Sequence, residues 1–176
     1  MQLKVEVLSK IHDRSVFDCG DEKLNAFIKN MAHQHIRKGL SRTFVLVEQK
    51  NPEKIIAYMT LVVCELFAEN IPHQWKKKYP RTLPAAKLAR LAVSQKQQKQ
   101  GFGELLVVDA IHKTFNVSEN MGIVGLFVDA KHEQAKNYYN RFGFLSLPEQ
   151  LDNLFLPLST IIEFTRNGEA EKTKSN

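Results

Sequence analysis

The stretch that decides the fold is KLARLAV, residues 87–93, followed four residues later by QKQGFG, residues 98–103. The first part is a short apolar run between Pro84 and a polar cluster, which predicts a β-strand. Beyond Gly103, apolar residues recur every three or four positions, which predicts a helix: Leu105, Val108, Ile111 and Phe115. The two glycines therefore lie in a turn between a strand and the start of a helix.

A turn of this kind is suited to binding an anion. The first N–H groups of a helix have no partner within the helix and lie at the positive end of its dipole. Glycines at 101 and 103 let the backbone approach a phosphate closely. The glycines alone leave two interpretations open, namely a phosphate or pyrophosphate site and an ordinary connection between a strand and a helix.

The remaining chain predicts a mixed α/β domain with helices on both sides of one sheet. Strands are predicted at 3–7, 42–49, 55–64, 87–93, 122–130, from 144 and at 154–164, and helices at 22–37, from 103 and at 133–141. Strands two to four are predicted to be antiparallel, and residues 87–130 form a parallel β-α-β crossover. We expect six to seven strands and about four helices in a single domain at 1–166, followed by a polar, disordered tail at 167–176.

Composition indicates a protein that neither crosses a membrane nor carries disulfides. No apolar run reaches the ~18 residues that a membrane helix needs, and the first residues alternate like a strand rather than a signal peptide. Cys19 and Cys64 are far apart and lack metal-ligand spacing, so we expect free thiols in a reducing cytoplasm.

The net charge of +6 is unevenly distributed. Residues 70–103 contain eight lysines and arginines and no acidic residue, and residues 23–47 are also free of Asp and Glu. Such segments are ordinarily solvated surface, but an imbalance of this size also suggests a polyanionic ligand such as a nucleic acid. Charge alone leaves both interpretations open.

Two motifs give the chain a resemblance to the GNAT acyltransferases. QKQGFG at 98–103 matches the family's Q/R-x-x-G-x-G/A motif, and AKNYYNRFGF at 135–144 matches its A-x-x-x-Y-x-x-F/L-G-F ending. Both motifs occur in the family's order and at its separation. The resemblance covers essentially the whole chain and implies the GNAT fold and an N-acetyltransferase that uses acetyl-CoA.

One branch of the family is more similar still, namely the tRNA-acetylating toxins of bacterial toxin–antitoxin systems. The similar segments are FDCG at 17–20, LNAFI at 24–28, GLSRTFV at 39–45 and ARLAV at 89–93. The resemblance implies acetylation of the α-amine of aminoacyl-tRNA, a block of translation and neutralisation by a ribbon-helix-helix antitoxin. A homodimer is also implied, since the family often forms one.

The resemblance also assigns roles to individual residues. The pyrophosphate of acetyl-CoA would be bound at Gln98, Lys99, Gln100, Gly101, Phe102 and Gly103, and its pantetheine arm along Leu91, Ala92 and Val93. Tyr139 matches the family's general acid, and a phenol with an ordinary pKa of about 10 keeps its proton at neutral pH. Tyr138 is expected to be structural. His132 stands where many members have an asparagine that contacts the cofactor, which puts that one contact in doubt.

No strong general base is evident in the sequence. The strand at 87–93 has no carboxylate, and Glu65 and Glu69 are weak candidates. An α-amine has a pKa of about 7.7–8.0, against about 10.4 for a lysine side chain, so more of it is neutral at pH 7. A site without a base therefore suits an aminoacyl or N-terminal amine better than a lysine.

Arg42, Lys87 and Arg90 are the first candidates for contacts with tRNA phosphates, followed by Arg37, Lys38 and Lys76–Lys78. No metal is expected. Two alternative functions stay open: a GNAT enzyme that acetylates a small amine, a protein N-terminus or a lysine, and a non-catalytic module that holds CoA or nucleic acid.

Overall fold

A computed structural model describes residues 1–67, 71, 79–130, 132–147 and 150–174, and these residues include seven strands and five α-helices. The strands are β1 (Leu3–Val7), β2 (Arg42–Glu48), β3 (Ala57–Phe67), β4 (Thr82–Val93), β5 (Gly125–Asp129), β6 (Leu145–Leu147) and β7 (Gln150–Pro157). The helices are α1 (Glu22–Ala26), α2 (Ala32–Arg37), α3 (Phe102–Ser118), α4 (Glu133–Asn140) and α5 (Leu158–Lys174). The strands form one sheet in the order β1-β2-β3-β4-β5-β7-β6, which confirms the predicted mixed α/β class.

Strands β2 and β3 form the antiparallel hairpin that the sequence predicts. Their register pairs Val45 with Tyr58 and Thr43 with Thr60, and β1 adds to the outer side of β2. Both threonine hydroxyls are buried, and they form a hydrogen bond of 2.9 Å with each other. The pairing thus satisfies the polar groups that this sheet buries.

The predicted helix at 22–37 is present but interrupted. Asp21 caps its start, because the Asp21 carboxylate accepts hydrogen bonds from the N–H groups of Lys23 and Leu24. Residues Phe27–Met31 then form a π-helical turn between α1 and α2. The sequence pattern did not predict this turn, since a single inserted residue leaves the apolar stripe nearly unchanged.

Both strands that flank the segment at 65–84 extend into it. The strands were predicted only at 55–64 and 87–93, but β3 continues to Phe67 and β4 begins at Thr82. Pro84 lies inside β4, where its carbonyl accepts a hydrogen bond from the N–H of Val124 at 2.9 Å. Pro84, which bounded the apolar run in the sequence, therefore does not mark the start of the strand.

The predicted strand at 154–164 is wrong in its second half. Strand β7 ends at Pro157, and helix α5 begins at Leu158. Leu158, Ile161, Ile162 and Thr165 follow the helical spacing of three and four, which outweighs the strand preference of the β-branched residues. The helix extends to Lys174, so residues 167–174, which were predicted to be a disordered tail, are helical.

Backbone contacts divide the chain into two compact units, each with a core of its own. One comprises Met1–Val62 and Leu88–Ala110, and its core contains Phe17, Phe27, Val45, Tyr58 and Ala92. The other comprises Val63–Lys87 and Ile111–Asn176, and its core contains Leu83, Ala85, Phe127, Leu147 and Phe155. The single domain predicted at 1–166 stays a prediction.

Candidate active site

The first candidate element is the phosphate-binding loop, residues 98–103. Strand β4 ends at Val93, a short 3₁₀ turn covers Gln95–Gln97, and α3 begins at Phe102. The N–H of Leu105 donates to the carbonyl of Gly101 at 3.1 Å, which is the first backbone bond of the helix. The N–H groups ahead of Leu105 therefore lie before the helix's own ladder of hydrogen bonds, as anion binding requires.

The backbone of this loop adopts two left-handed conformations. Gly101 has φ of 82° and Lys99 has φ of 62°. Gly101 is exposed, and no heavy atom lies within 4 Å of the position that a Cβ would take. The loop thus presents open backbone at the N-terminus of a 17-residue helix, with Lys96 and Lys99 exposed beside it in the sequence. These features fit the pyrophosphate of acetyl-CoA.

The side chain of Gln98 makes contacts that the motif alone does not suggest. Its side-chain amide donates hydrogen bonds to the carbonyls of Cys19, at 3.0 Å, and Val93, at 3.1 Å. The amide therefore holds the loop against the protein's own backbone. Sequence reasoning gave no sign of the contact with Cys19, which lies 79 residues earlier in the chain.

Side-chain burial alternates along the end of β4, as expected for a strand. Ala92 is buried in the core of its unit, whereas Leu91 and Val93 are half-buried. Successive side chains of a strand point to opposite faces, so Leu91 and Val93 share a face that Ala92 does not. Their predicted contact with the pantetheine arm stays a prediction.

Tyr139 lies near the end of α4 and is 8% exposed. Its ring contacts those of Tyr138 and Phe144, with centroids 5.1 and 5.5 Å away. Burial raises the pKa of the Tyr139 hydroxyl well above its ordinary value, and the neighbouring Tyr138 raises the pKa further. The hydroxyl consequently stays protonated at neutral pH, as a general acid must before it donates.

The candidates for a general base gain no support. Glu65 is exposed on β3, and Glu69 lies outside the described residues.

His132, at the position where many family members have an asparagine, immediately precedes α4. Its side chain makes no capping hydrogen bond with the helix.

The three cations predicted to contact tRNA differ in their surroundings. Arg42 is exposed at the start of β2. Lys87 forms a 2.8 Å ion pair with Asp129 and lies over the ring of Phe127, at 5.2 Å from the centroid. Lysines 76–78 lie outside the described residues.

Arg90 stacks on an aromatic side chain. Its guanidinium lies 3.7 Å from the centroid of the Phe27 ring, and Phe27 in turn stacks on Tyr58. Stacking on an aromatic face fixes the plane of the guanidinium while leaving its N–H groups available to an anion. The sequence showed Phe27 only as an apolar residue of a predicted helix, because a contact between a strand and a helix has no local pattern.

The described part of the chain has neither a metal-binding cluster nor a membrane-spanning helix. No group of three or more His, Cys, Asp or Glu side chains there could hold a metal ion. None of the described helices combines the length and the apolar character needed to cross a bilayer.

Comparison with known proteins gives consistent matches. The model of the Acetyltransferase (GNAT) family matches residues 8–144. The tRNA-acetylating toxin of Mycobacterium tuberculosis is 26% identical over 149 residues, which are 85% of this chain and 88% of that protein.

Solved structures match along almost the whole chain. A crystal structure of a tyrosine-to-phenylalanine mutant of KacT has a TM-score of 0.87 at 32% identity, and the match covers 93% of this chain and 99% of KacT. AtaT complexed with acetyl-methionyl-tRNAfMet has a TM-score of 0.86 at 31% identity, with the same coverage. A tyrosine-to-phenylalanine mutant of the AtaT toxin, bound to the C-terminus of the antitoxin AtaR and acetyl-CoA, has a TM-score of 0.78 at 29% identity over 93% of this chain and 98% of AtaT.

Proposed function

The chain belongs to the GNAT acetyltransferase family, and we propose that it is a toxin that transfers the acetyl group of acetyl-CoA to the α-amine of an aminoacyl-tRNA and thereby blocks translation. The observation that carries this proposal is the match to AtaT in complex with acetyl-methionyl-tRNAfMet, at 31% identity over 93% of the chain. The basic segments at 23–47 and 70–103 support a polyanionic acceptor independently of that match.

The phosphate-binding loop and strand β4 would bind the donor. The N–H groups of Gln100 to Gly103 lie at the start of α3, where they would donate hydrogen bonds to the pyrophosphate oxygens. Leu91 and Val93 would offer their backbone to the pantetheine arm as a neighbouring strand does.

Tyr139 would act as the general acid. The acceptor nitrogen forms a bond to the thioester carbonyl carbon, the carbon–sulfur bond breaks, and the electron pair stays on sulfur as a thiolate. The Tyr139 hydroxyl gives that sulfur a proton and later regains one from solvent or from the acetylated amine. Burial keeps this hydroxyl protonated before each turnover, and the same rise in pKa makes it a weaker proton donor than an exposed tyrosine.

The acceptor would supply its own neutral amine. Glu65, the described candidate for a base, is an exposed carboxylate on β3. With a pKa of about 7.7–8.0, an α-amine is partly neutral at physiological pH, whereas a lysine side chain is almost fully charged. This difference favours an aminoacyl ester over a protein lysine as the acceptor.

The proposal includes partners and place of action. A ribbon-helix-helix antitoxin would neutralise the enzyme, in line with the AtaT structure that contains the C-terminus of AtaR. A homodimer would place basic segments of two subunits side by side. Because the proposed acceptor is aminoacyl-tRNA, the enzyme would act in the cytoplasm.

The acceptor can be identified by direct assay. We expect the purified protein to transfer labelled acetyl from acetyl-CoA to a pool of charged tRNAs, and the label to be lost on deacylation together with the amino acid. Uncharged tRNA and a lysine peptide are the matched controls, and both should remain unlabelled. Labelling of the peptide but not of charged tRNA would favour the ordinary GNAT function, and binding of CoA without any transfer would favour the non-catalytic module.

Arg90 is expected to contribute a phosphate contact. Changing Arg90 to Ala should weaken the affinity for charged tRNA about tenfold and lower the slope of log affinity against log salt by about one. Lys50→Ala is the matched control, since Lys50 is an exposed cation between β2 and β3, outside both basic segments. Equal salt slopes for the two variants would remove Arg90 from the interface.

A further inference from the structure

Two backbone segments that are distant in sequence meet beside the phosphate-binding loop. The first is the Asp18 loop, residues 17–21, and the second is the turn at 95–98. The N–H of Gln95 donates to the carbonyl of Asp18 at 2.9 Å, and the side-chain amide of Gln98 donates to the carbonyl of Cys19 at 3.0 Å. Two consecutive carbonyls of the Asp18 loop thus hold the turn that leads into the phosphate-binding loop.

The Asp18 loop is itself held by Asn25 of α1. The amide nitrogen of Asn25 donates to the Asp18 carboxylate at 2.8 Å, and the amide oxygen of Asn25 accepts from the N–H of Cys19 at 2.9 Å. The same carboxylate oxygen accepts from the N–H of Gly20 at 2.9 Å. These hydrogen bonds lower the pKa of Asp18, first through Gly20 and then through Asn25, so the carboxylate stays ionised and accepts strongly.

Gly20 brings the two segments into direct contact. It has φ of +85°, and a Cβ at this position would lie 2.6 Å from the side-chain nitrogen of Gln95. Any other residue would be strained in its backbone and would push aside the amide end of the exposed Gln95 side chain.

The phosphate-binding loop needs such support because its backbone is strained. Lys99 adopts a left-handed φ of 62°, which is sparsely populated for residues other than glycine. Conformations of this kind persist where the surrounding structure fixes them. Gln98, the residue before Lys99, is fixed through its amide at the carbonyls of both Cys19 and Val93.

We infer that Asn25 and the Asp18 loop are positioning elements for donor binding. Asn25 shapes the Asp18 loop, the carbonyls of that loop hold Gln95 and Gln98, and these two residues set the N–H groups of the phosphate-binding loop for the pyrophosphate. This inference rests on the proposed function, in that the anion bound there is the pyrophosphate of acetyl-CoA. It explains the FDCG segment at 17–20, for which the chemistry of acetyl transfer offers no role.

The test compares two asparagines of the same helical region. Asn25→Ala should raise the Kd for CoA, measured by calorimetry, and the KM for acetyl-CoA about tenfold, while kcat at saturating donor and KM for charged tRNA change less than about twofold. Asn30→Ala is the matched control, because Asn30 is exposed beyond α1, and it should bind CoA as the unaltered protein does. A fall in kcat with unchanged KM for acetyl-CoA, or equal CoA affinity of both variants, would overturn the inference.

A second variant covers the case in which Asn25→Ala does not fold. Gln98→Met removes the amide from an exposed side chain of nearly the same length, and it should raise the Kd for CoA to a similar extent. The double variant should be little worse than either single one, since both changes interrupt one chain of contacts. If the losses of CoA affinity in the two single variants were fully additive in the double variant, the two side chains would not act through one chain of contacts.

The failure of this inference can be told apart from failure of the proposed function. If the unaltered protein binds CoA and acetylates charged tRNA but the Asn25 and Gln98 variants bind CoA normally, only the positioning role is wrong. If the unaltered protein does not bind CoA, the proposed function itself fails.

Discussion

Replacing Tyr139 with Phe is expected to lower kcat for acetyl transfer by about 10²- to 10⁴-fold, the range that a general acid ordinarily contributes. The hydroxyl is the only group removed, and the ring keeps its contacts with Tyr138 and Phe144. Binding of acetyl-CoA should therefore be unchanged, and expression of the variant should no longer arrest growth. Single-turnover kinetics with charged tRNA, together with calorimetry of CoA binding, would measure both effects.

Tyr138→Phe is the matched control for this substitution. Tyr138 belongs to the same helix, and its ring packs against those of Tyr139 and Phe142. We expect the Tyr138 variant to keep its kcat within about threefold, because its hydroxyl has no part in the proposed proton transfer. If the two variants lost activity equally, Tyr139 would not be the acid.

The pH dependence follows from the direction of the pKa shift of Tyr139. Burial raises this pKa, so the acid form persists to a higher pH than for an ordinary tyrosine, whose pKa is about 10. Activity should rise with pH as the α-amine loses its proton, with a midpoint near about 8, and should not decline before about pH 10. A bell-shaped profile with a decline near neutral pH would point to a different acid.

Replacing Gly125 with Ala is expected to abolish folding or to lower the free energy of unfolding by about 3 kcal/mol or more. Gly125 begins β5 with φ of 155°, and a Cβ there would overlap the carbonyl oxygen of Leu156 and touch the Phe155 ring at 2.8 Å. Both neighbours belong to β7, whose residues 153–157 pair with the whole of β5, so the Leu156 carbonyl cannot move away without breaking the ladder. Urea denaturation followed by circular dichroism would measure the loss.

Gly122→Ala provides the control for Gly125→Ala. Gly122 precedes β5, and no heavy atom lies within 4 Å of the position that its Cβ would take. Its substitution should change the free energy of unfolding by less than about 1 kcal/mol. Similar stability of the two variants would show that the close approach of β5 to β7 does not limit the side chain at 125.

Local patterns predicted most of the elements. Strand β4, helix α3, helix α4 and the hairpin of β2 and β3 all occur where apolar spacing and turn residues indicated them. The strand predicted at 154–164 was wrong where α5 begins, and this error has a specific cause. Thr160, Ile161 and Ile162 favour a strand by residue type, but helical spacing from Leu158 onward was the stronger pattern.

The sequence by itself determined the family and the candidate residues for chemistry, because the glycine motif at 98–103 and the tyrosine motif at 135–144 are read along the chain. The tertiary structure decided what those residues touch. It pairs Lys87 with Asp129, lays Arg90 on Phe27, buries the Tyr139 ring and ties Gln98 to Cys19. The physical reason is that ion pairing, stacking, burial and the support of a strained loop depend on partners brought together by folding, and no local spacing along the chain specifies them.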